Sequence, residues 1–251
     1  MTEIITEIKD WFKIKNNLRG SLGFVPTMGA LHKGHRSLFE RSVLENNLTV
    51  ASIFVNPTQF NNKADLEKYP KTFEQDLDLL NDCKVDFLIF PKYESLYPDN
   101  YAYKVTETNS ALILEGEHRQ GHFDGVLTVV NKLLNIVYAD KAYFGEKDFQ
   151  QYKLIDEMTK AFFMKTKIVR CPTIREEDGL AMSSRNIRLS KQERMIAPLF
   201  HQLLKSNKQP KEIANELLSK GFKVDYITDL DNRRFGAVYL GNVRLIDNVE
   251  L

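Results

Sequence analysis

Apolar positions along this chain follow two rhythms that alternate. Short strand-like runs, several of them apolar on both parities, occur at residues 22–26 (LGFVP), 48–55 (LTVASIFV), 85–91 (VDFLIFP), 142–145 (AYFG) and 167–174 (KIVRCPTI). Several have the character of strands buried on both faces. Between them, apolar residues recur at three- and four-residue spacing, which predicts helices at 35–46, from 72 (TFEQDLDLLNDC), from 123 (FDGVLTVVNKLLNIVY) and from 147 (KDFQQYKLIDEMTKAFF). In the first of these, Leu38, Phe39, Val43 and Leu44 form the expected inward face. Strand and helix in alternation predict an α/β fold with a doubly wound, Rossmann-like parallel sheet. Ligands of such sheets sit at the carboxyl ends of the strands.

The rhythm changes after about residue 176. QERMIAPLFHQLLKS and KEIANELLSKGF read as amphipathic helices, KVDYITDL as a strand, and AVYLGNVRLID as a hairpin turning at Gly241 and Asn242. The expected organisation is a larger domain over 1–176 and a small α+β domain over 177–251, with the charged DNRRF as a solvated turn.

At 251 residues the chain can bury a substantial core. Its net charge of +1 leaves no broad basic field for nucleic acid, so recognition of an anion has to be local. No apolar run approaches the roughly 20 residues of a membrane span. The start, MTEIITEIKDWFKIKNN, is too charged for a secretory signal. A cytoplasmic protein with no membrane partner is expected. Cys83 and Cys171 lack the spacing of a zinc site or a disulfide framework and read as reduced thiols.

The chemistry gathers just past the strand ends. VPTMGALHKGH, at 25–35, is a strand-to-helix turn with Gly29, Gly34 and two histidines, His32 and His35, three residues apart near a helix start. The N–H groups of such a start suit a phosphate, and imidazoles can donate to its oxygens, gaining a second donor when protonated. By itself HxxH also suits a metal, or two solvated histidines on a packing turn. In FVNPTQF, Pro57 stops the strand and leaves Asn56 and Gln59 to bind a small polar ligand. In YFGEKDFQQ, Gly145 ends a strand and Lys147 and Gln151 are spaced to share a helical face, with Asp148 a first-turn acid. A cation at a helix start is out of place unless an anion sits there. In REEDGLAMSSRN, a turn at Asp178 and Gly179 precedes two serines and an arginine, a compact set of phosphate donors. No GxxxxGK[ST] or GxGxxG accompanies these clusters, which excludes a P-loop NTPase or a nicotinamide enzyme.

Taken in order, PTMGALHKGH, FVNPTQF, YPKT, LEGEHRQGHFDGVLTVV, FGEKDFQQ and DGLAMSSRN closely resemble the pantothenate synthetase (pantoate–β-alanine ligase) family of the HIGH-type nucleotidyltransferase superfamily. The resemblance covers nearly all of the first 190 residues and is weak after Leu189, where the tail looks short for the family. It implies ATP-dependent condensation of pantoate with β-alanine through a pantoyl adenylate, giving pantothenate, AMP and pyrophosphate. It also implies Mg2+, a homodimer, and a lid role for the C-terminal domain. Met28, Gly29, Ala30, Leu31, His32, Lys33, Gly34 and His35 would hold the ATP phosphates. Gly145, Glu146, Lys147 and Asp148 would contact nucleotide, Ile174 would offer backbone to adenine, and Met182, Ser183, Ser184 and Arg185 would close on the phosphates. Catalytic roles fall to His32, His35, Lys147 and Arg185, while Gln59, Gln151 and Asn56 would hold pantoate or β-alanine. No protein ligand to a metal is assigned. Asp76 reads as a surface helical acid with a possible part in Mg2+ binding, His118, Arg119 and His122 as site-wall candidates, and His201 as a helix-surface histidine without a role. The rivals are another HIGH-type adenylyl or cytidylyl transferase and a non-catalytic nucleotide-binding module. The glutamine pair counts against the first and the full set of histidines, lysine, serines and arginine against the second.

Overall fold

A computed structural model describes the backbone of residues 1–251 and every side chain except those of Lys63 and Ala64. By internal packing the chain divides into two compact units, one of Met1–Leu31, His35–Gly145 and Gln150–Cys171, the other of His32–Gly34, Glu146–Phe149 and Pro172–Leu251.

The first unit is built on six parallel strands, β1 Glu3–Ile5, β2 Leu22–Thr27, β3 Leu48–Ile53, β4 Phe87–Ile89, β5 Lys141–Gly145 and β6 Lys167–Cys171, in the order β1-β4-β3-β2-β5-β6. Successive strand residues enter opposite layers, as the period of two requires. Phe24, Val50, Phe87, Ile89, Ala142, Phe144 and Ile168 join a core with Trp11 and helix His122–Val137. Val25, Ala51, Leu88, Tyr143 and Val169 join a second core with Phe39 and Leu80. The sheet is therefore doubly wound, with helices on both faces. Because β2→β3→β4 runs one way and β5→β6 the other, the order reverses between β2 and β5, the switch point where such sheets open a crevice. Pairing there is confined to Gly23 with Lys141 and Phe24 with Ala142. Pro26 has no N–H to extend the ladder, so the two strands part toward their carboxyl ends.

Several elements end earlier than the apolar runs suggest, β3 at Ile53, β4 at Ile89 and β6 at Cys171 just before Pro172. Leu44 does not face inward as its spacing predicts. It is 86% exposed, and helix Lys33–Glu45 buries Leu38, Phe39 and Ser42 instead, Ser42 Oγ lying 2.8 Å from Thr49 Oγ1. A Cβ at Gly23 would come within 2.2 Å of Ser42 Oγ, so this close approach of helix and strand needs the glycine. Strand β1 and helix Ile8–Lys15 have no counterpart among the sequence runs, since each buries little beyond Ile5 and Trp11.

The second unit holds an antiparallel sheet of β7 Lys223–Leu230, β8 Arg233–Leu240 and β9 Val243–Glu250. The continuous helix expected over QERMIAPLFHQLLKS is two helices, Lys191–Ile196 and Pro198–Leu204, because Pro198 begins a new one at Ala197. DNRRF is not wholly a solvated turn. Asp231 and Asn232 make the turn, but Arg233 and Arg234 are buried at 6% and 4% exposure, paired with Glu146 and Asp229 respectively. Cys83 and Cys171 are free, buried thiols.

Candidate active site

In the first unit the turn after β2 is held by a carboxylate. Asp76, in the first turn of helix Phe73–Asp82, accepts from Ala30 N at 2.9 Å, Leu31 N at 2.7 Å and Thr72 Oγ1 at 3.0 Å. It is 2% exposed, so the surface position expected for it is wrong. The turn needs this anchor because Gly29 and Ala30 both take positive φ, +80° and +50°, and Ala30 pays a steric cost there. A Cβ on Gly29 would also crowd Asp76 Oδ2 at 3.0 Å.

Asn56 and Gln59 lie together, both buried. Asn56 Nδ2 donates to Gln59 Oε1 and to Gly125 O, each at 3.1 Å, while Asn56 Oδ1 accepts from Thr58 Oγ1 and Tyr97 OH, each at 3.0 Å. Burial pushes the Tyr97 phenol up to about 12, so it remains a donor. This fixes the Gln59 amide with Nε2 facing Met28 Sδ at 3.0 Å, a weak acceptor. Close behind, His122 Nδ1 meets Gln59 O at 2.8 Å. The carbonyl can only accept, so Nδ1 carries the ring proton and Nε2 accepts from Arg119 Nη1 at 3.0 Å. Arg119 also pairs with Glu115 at 3.7 Å. Of the site-wall candidates, Arg119 and His122 thus belong to the Gln59 cluster, and Glu115 is an addition that the sequence reading left unassigned. Gln151 makes no side-chain hydrogen bond among the described residues. Its neighbour Gln150 bonds Glu115 N, Ser110 O and Ile113 O, at 3.1, 2.7 and 2.8 Å, and fixes that loop.

In the second unit His32 Nδ1 accepts from Gly34 N at 3.1 Å, which leaves the ring proton on Nε2. Burial first, then the charge of Lys147, pulls His32 down to about 4, with Asp148 opposing. At neutral pH it offers a single N–H; the second donor expected on protonation is not available. The folded state therefore favours neutral His32. Its contribution to stability is fully present above about pH 6.5 and is lost as pH falls toward 4, roughly 1–3 kcal/mol in all. An NMR titration is expected to place the His32 midpoint near 4; a midpoint near 6.5 would contradict the burial.

Lys147 and Gln151 do not share one helix face. Glu146–Asp148 is a separate 3-10 turn and the helix is Phe149–Ala161. Lys147 Nζ lies 3.5 Å from Asp148 Oδ2, which offsets the misplaced cation noted in the sequence. Ile174 and Met182 are joined through Met182 N→Ile174 O at 3.0 Å, and Gly179, at φ +92°, turns the hairpin between them. Ser183 follows, with its Oγ accepting from Arg185 N at 3.3 Å. His201 is no surface histidine: its side chain is 12% exposed and Nδ1 lies 3.1 Å from Asp247 Oδ2.

A doubly wound parallel sheet whose strand order reverses beside a carboxylate-braced turn is the framework of a ligand-binding α/β protein. The chain belongs to the pantoate-beta-alanine ligase family, whose model matches residues 1–250. It is 53% identical to the pantothenate synthetase of Bdellovibrio bacteriovorus over 251 residues, all of both chains, and 50% identical to that of Legionella pneumophila over 98% of each. Among solved structures it is similar to the pantoate-beta-alanine ligase of Francisella tularensis complexed with beta-gamma ATP and beta-alanine, with TM-score 0.96, 44% identity and coverage of 100% and 98% of the two chains. It is also similar to the Thermus thermophilus pantothenate synthetase, with TM-score 0.91, 36% identity and 99% coverage of each. The family match runs to residue 250 and so includes the stretch after Leu189.

Proposed function

We propose that this protein makes pantothenate from pantoate and β-alanine, using ATP and releasing AMP and pyrophosphate. A carboxylate oxygen of pantoate attacks the α-phosphorus, the bond from that phosphorus to the bridging oxygen breaks, and pyrophosphate leaves. The uncharged amine of β-alanine then attacks the acyl carbon, the bond to AMP breaks, and the amine gives up a proton. Such steps ask for positioning and for positive charge around the leaving group rather than covalent help.

The observation that carries this reading is the Gln59 amide. It is buried and oriented by Asn56, and its Nε2 has only a thioether sulfur as partner among the described residues. Such a donor suits the hydroxyl or carboxylate of a small acid better than a phosphate ester. Gln151 is assigned to the same substrate, and Arg119, oriented by His122, faces its charge. His32 serves as a neutral Nε2–H donor to the triphosphate, joined by His35, Lys147, Ser183, Ser184 and Arg185. Residues Met28 to Leu31, Lys33 and Gly34 supply turn backbone to the phosphates. Gly145, Glu146 and Asp148 contact nucleotide, Ile174 offers backbone to adenine, and Met182 closes on the phosphates with Ser183. Among the described residues no three histidine, cysteine or acidic side chains gather into a metal cage. Mg2+ would enter with the substrate as MgATP, held mainly by phosphate oxygens. Among the described residues no helix is long and apolar enough to cross a membrane. A cytoplasmic homodimer, with residues 177–251 acting as a lid, completes the proposal.

Exchange of labelled pyrophosphate into ATP tests this without β-alanine. Exchange that requires pantoate and Mg2+ is expected. Equal exchange without pantoate, or AMP release with no exchange, would overturn the adenylate route.

A further inference from the structure

We infer that Asp247 and Asn248, consecutive residues of β9, are positioning residues for two nucleotide-binding segments of the second unit. Asp247 sets the hairpin that ends in Met182 and Ser183, and Asn248 sets the backbone that presents Lys147. This rests on the nucleotide roles assigned to those segments above.

Successive side chains on a strand point to opposite faces, so two neighbours can serve two segments. Asp247 is 4% exposed and accepts a fork from Arg175, Nη1 at 2.6 Å and Nη2 at 2.9 Å. Arg175 Nη1 also donates to Gly179 O at 3.2 Å, and Arg175 bridges Ala181 across the hairpin. The guanidinium thus ties the first strand and the turn of the hairpin to one carboxylate, and the backbone bridge joins the second strand. His201 Nδ1 approaches the same carboxylate at 3.1 Å, and a Cβ on Gly179 would meet His201 Cδ2 at 3.1 Å, so the imidazole backs the turn. Asn248 Nδ2 donates to Glu146 O at 3.0 Å and to Lys147 O at 2.9 Å. Its Oδ1 accepts from Arg233 Nη1, whose other nitrogen, Nη2, reaches Glu146 Oε1 at 2.8 Å. Arg233 also stacks on Phe149, 4.1 Å from the ring centroid. The short Glu146–Asp148 turn is therefore held by its own carbonyls, by a carboxylate and by the residue that follows it.

A buried ion pair adds little net stability over apolar packing. What the Arg175 fork and the Asn248 amide supply is fixed geometry, because both are directional and bind backbone oxygens at defined points. Loss of one such bond corresponds to roughly tenfold in an equilibrium.

Full-length protein carrying Asn248→Asp, which retains an acceptor for Arg233 but cannot donate to the two carbonyls, tests one arm. Arg175→Lys, which keeps the charge but loses the fork, tests the other. The control is Arg234→Lys, which weakens the pair of a buried arginine with Asp229 in the same sheet and touches neither segment. Binding of ATP by titration, pantoate-dependent pyrophosphate exchange and thermal unfolding are measured on each. About tenfold weaker ATP binding is expected in the first two variants, with the KM for pantoate within twofold of wild type and ATP binding by Arg234→Lys unchanged. Unchanged ATP affinity in both test variants, or an equal loss in the control, would overturn the inference. Wild-type protein that binds ATP but shows no exchange with pantoate would overturn the substrate assignment alone, because the ATP affinities test the positioning role separately.

Discussion

Replacing His35 by alanine is expected to slow adenylate formation by about 10² to 10³-fold, the scale of one lost transition-state donor. His35 is only half-buried near the start of helix Lys33–Glu45 and belongs to neither apolar core, so the melting temperature should stay within a few degrees of wild type. The two alternatives left open by HxxH separate on the same protein. A packing role lowers the melting temperature and spares the rate per folded molecule. A transition-metal role gives metal in the resting protein and an activity that chelation removes and Mg2+ does not restore. Single-turnover adenylation, calorimetry and metal analysis together decide among the three. Full adenylation by a stable, metal-free His35→Ala protein would remove the histidine turn from the chemistry.

Asp76→Ala is expected to have the largest effect on stability. The substitution deprives two backbone N–H groups and a hydroxyl of a buried charged acceptor. Orphaned donors of this kind cost about 1–3 kcal/mol each when water cannot reach them, and partial relaxation brings the total to about 3 kcal/mol. In a chain of this length that lowers the melting temperature by roughly 6–12 °C. The turn at Gly29 and Ala30 should loosen with it, because their positive φ values persist only where the surroundings hold them. Activity should therefore fall at temperatures where the variant remains folded. Differential scanning calorimetry with parallel exchange assays checks both parts. Full stability with full activity would show that the carboxylate does not brace the turn.

The sheet was legible because its strands are buried on both faces, and that leaves continuous apolar runs that local pattern can read. The histidine turn and the Asn56 and Gln59 pair each follow a strand end directly, where local pattern points, whereas Ser183 to Arg185 come after a hairpin that itself follows β6. What escaped depends on partners far away in sequence. Asp76 looks like any first-turn helical acid, and only the turn 45 and 46 residues earlier makes it a buried anchor. His201 and Arg175 meet at Asp247, 46 and 72 residues on, and Arg233 finds Glu146 across 87 residues. Leu44 misled in the opposite sense. Its spacing fits an inward face, but Gly23 admits Ser42 so closely that the helix turns its small polar side chain to the sheet. The i, i+4 relation of Lys147 and Gln151 assumed one unbroken helix, whereas a 3-10 turn intervenes.

In the proposed reaction pantoate is activated by joining its carboxylate to AMP. Pantoate labelled with ¹⁸O in both carboxylate oxygens, incubated with ATP, Mg2+ and β-alanine, tests it by mass spectrometry of the products. One ¹⁸O is expected in AMP, one in pantothenate and none in pyrophosphate, because the attacking oxygen stays on the α-phosphorus when the amine displaces AMP. Unlabelled AMP, or label in a phosphate or pyrophosphate product, would contradict it.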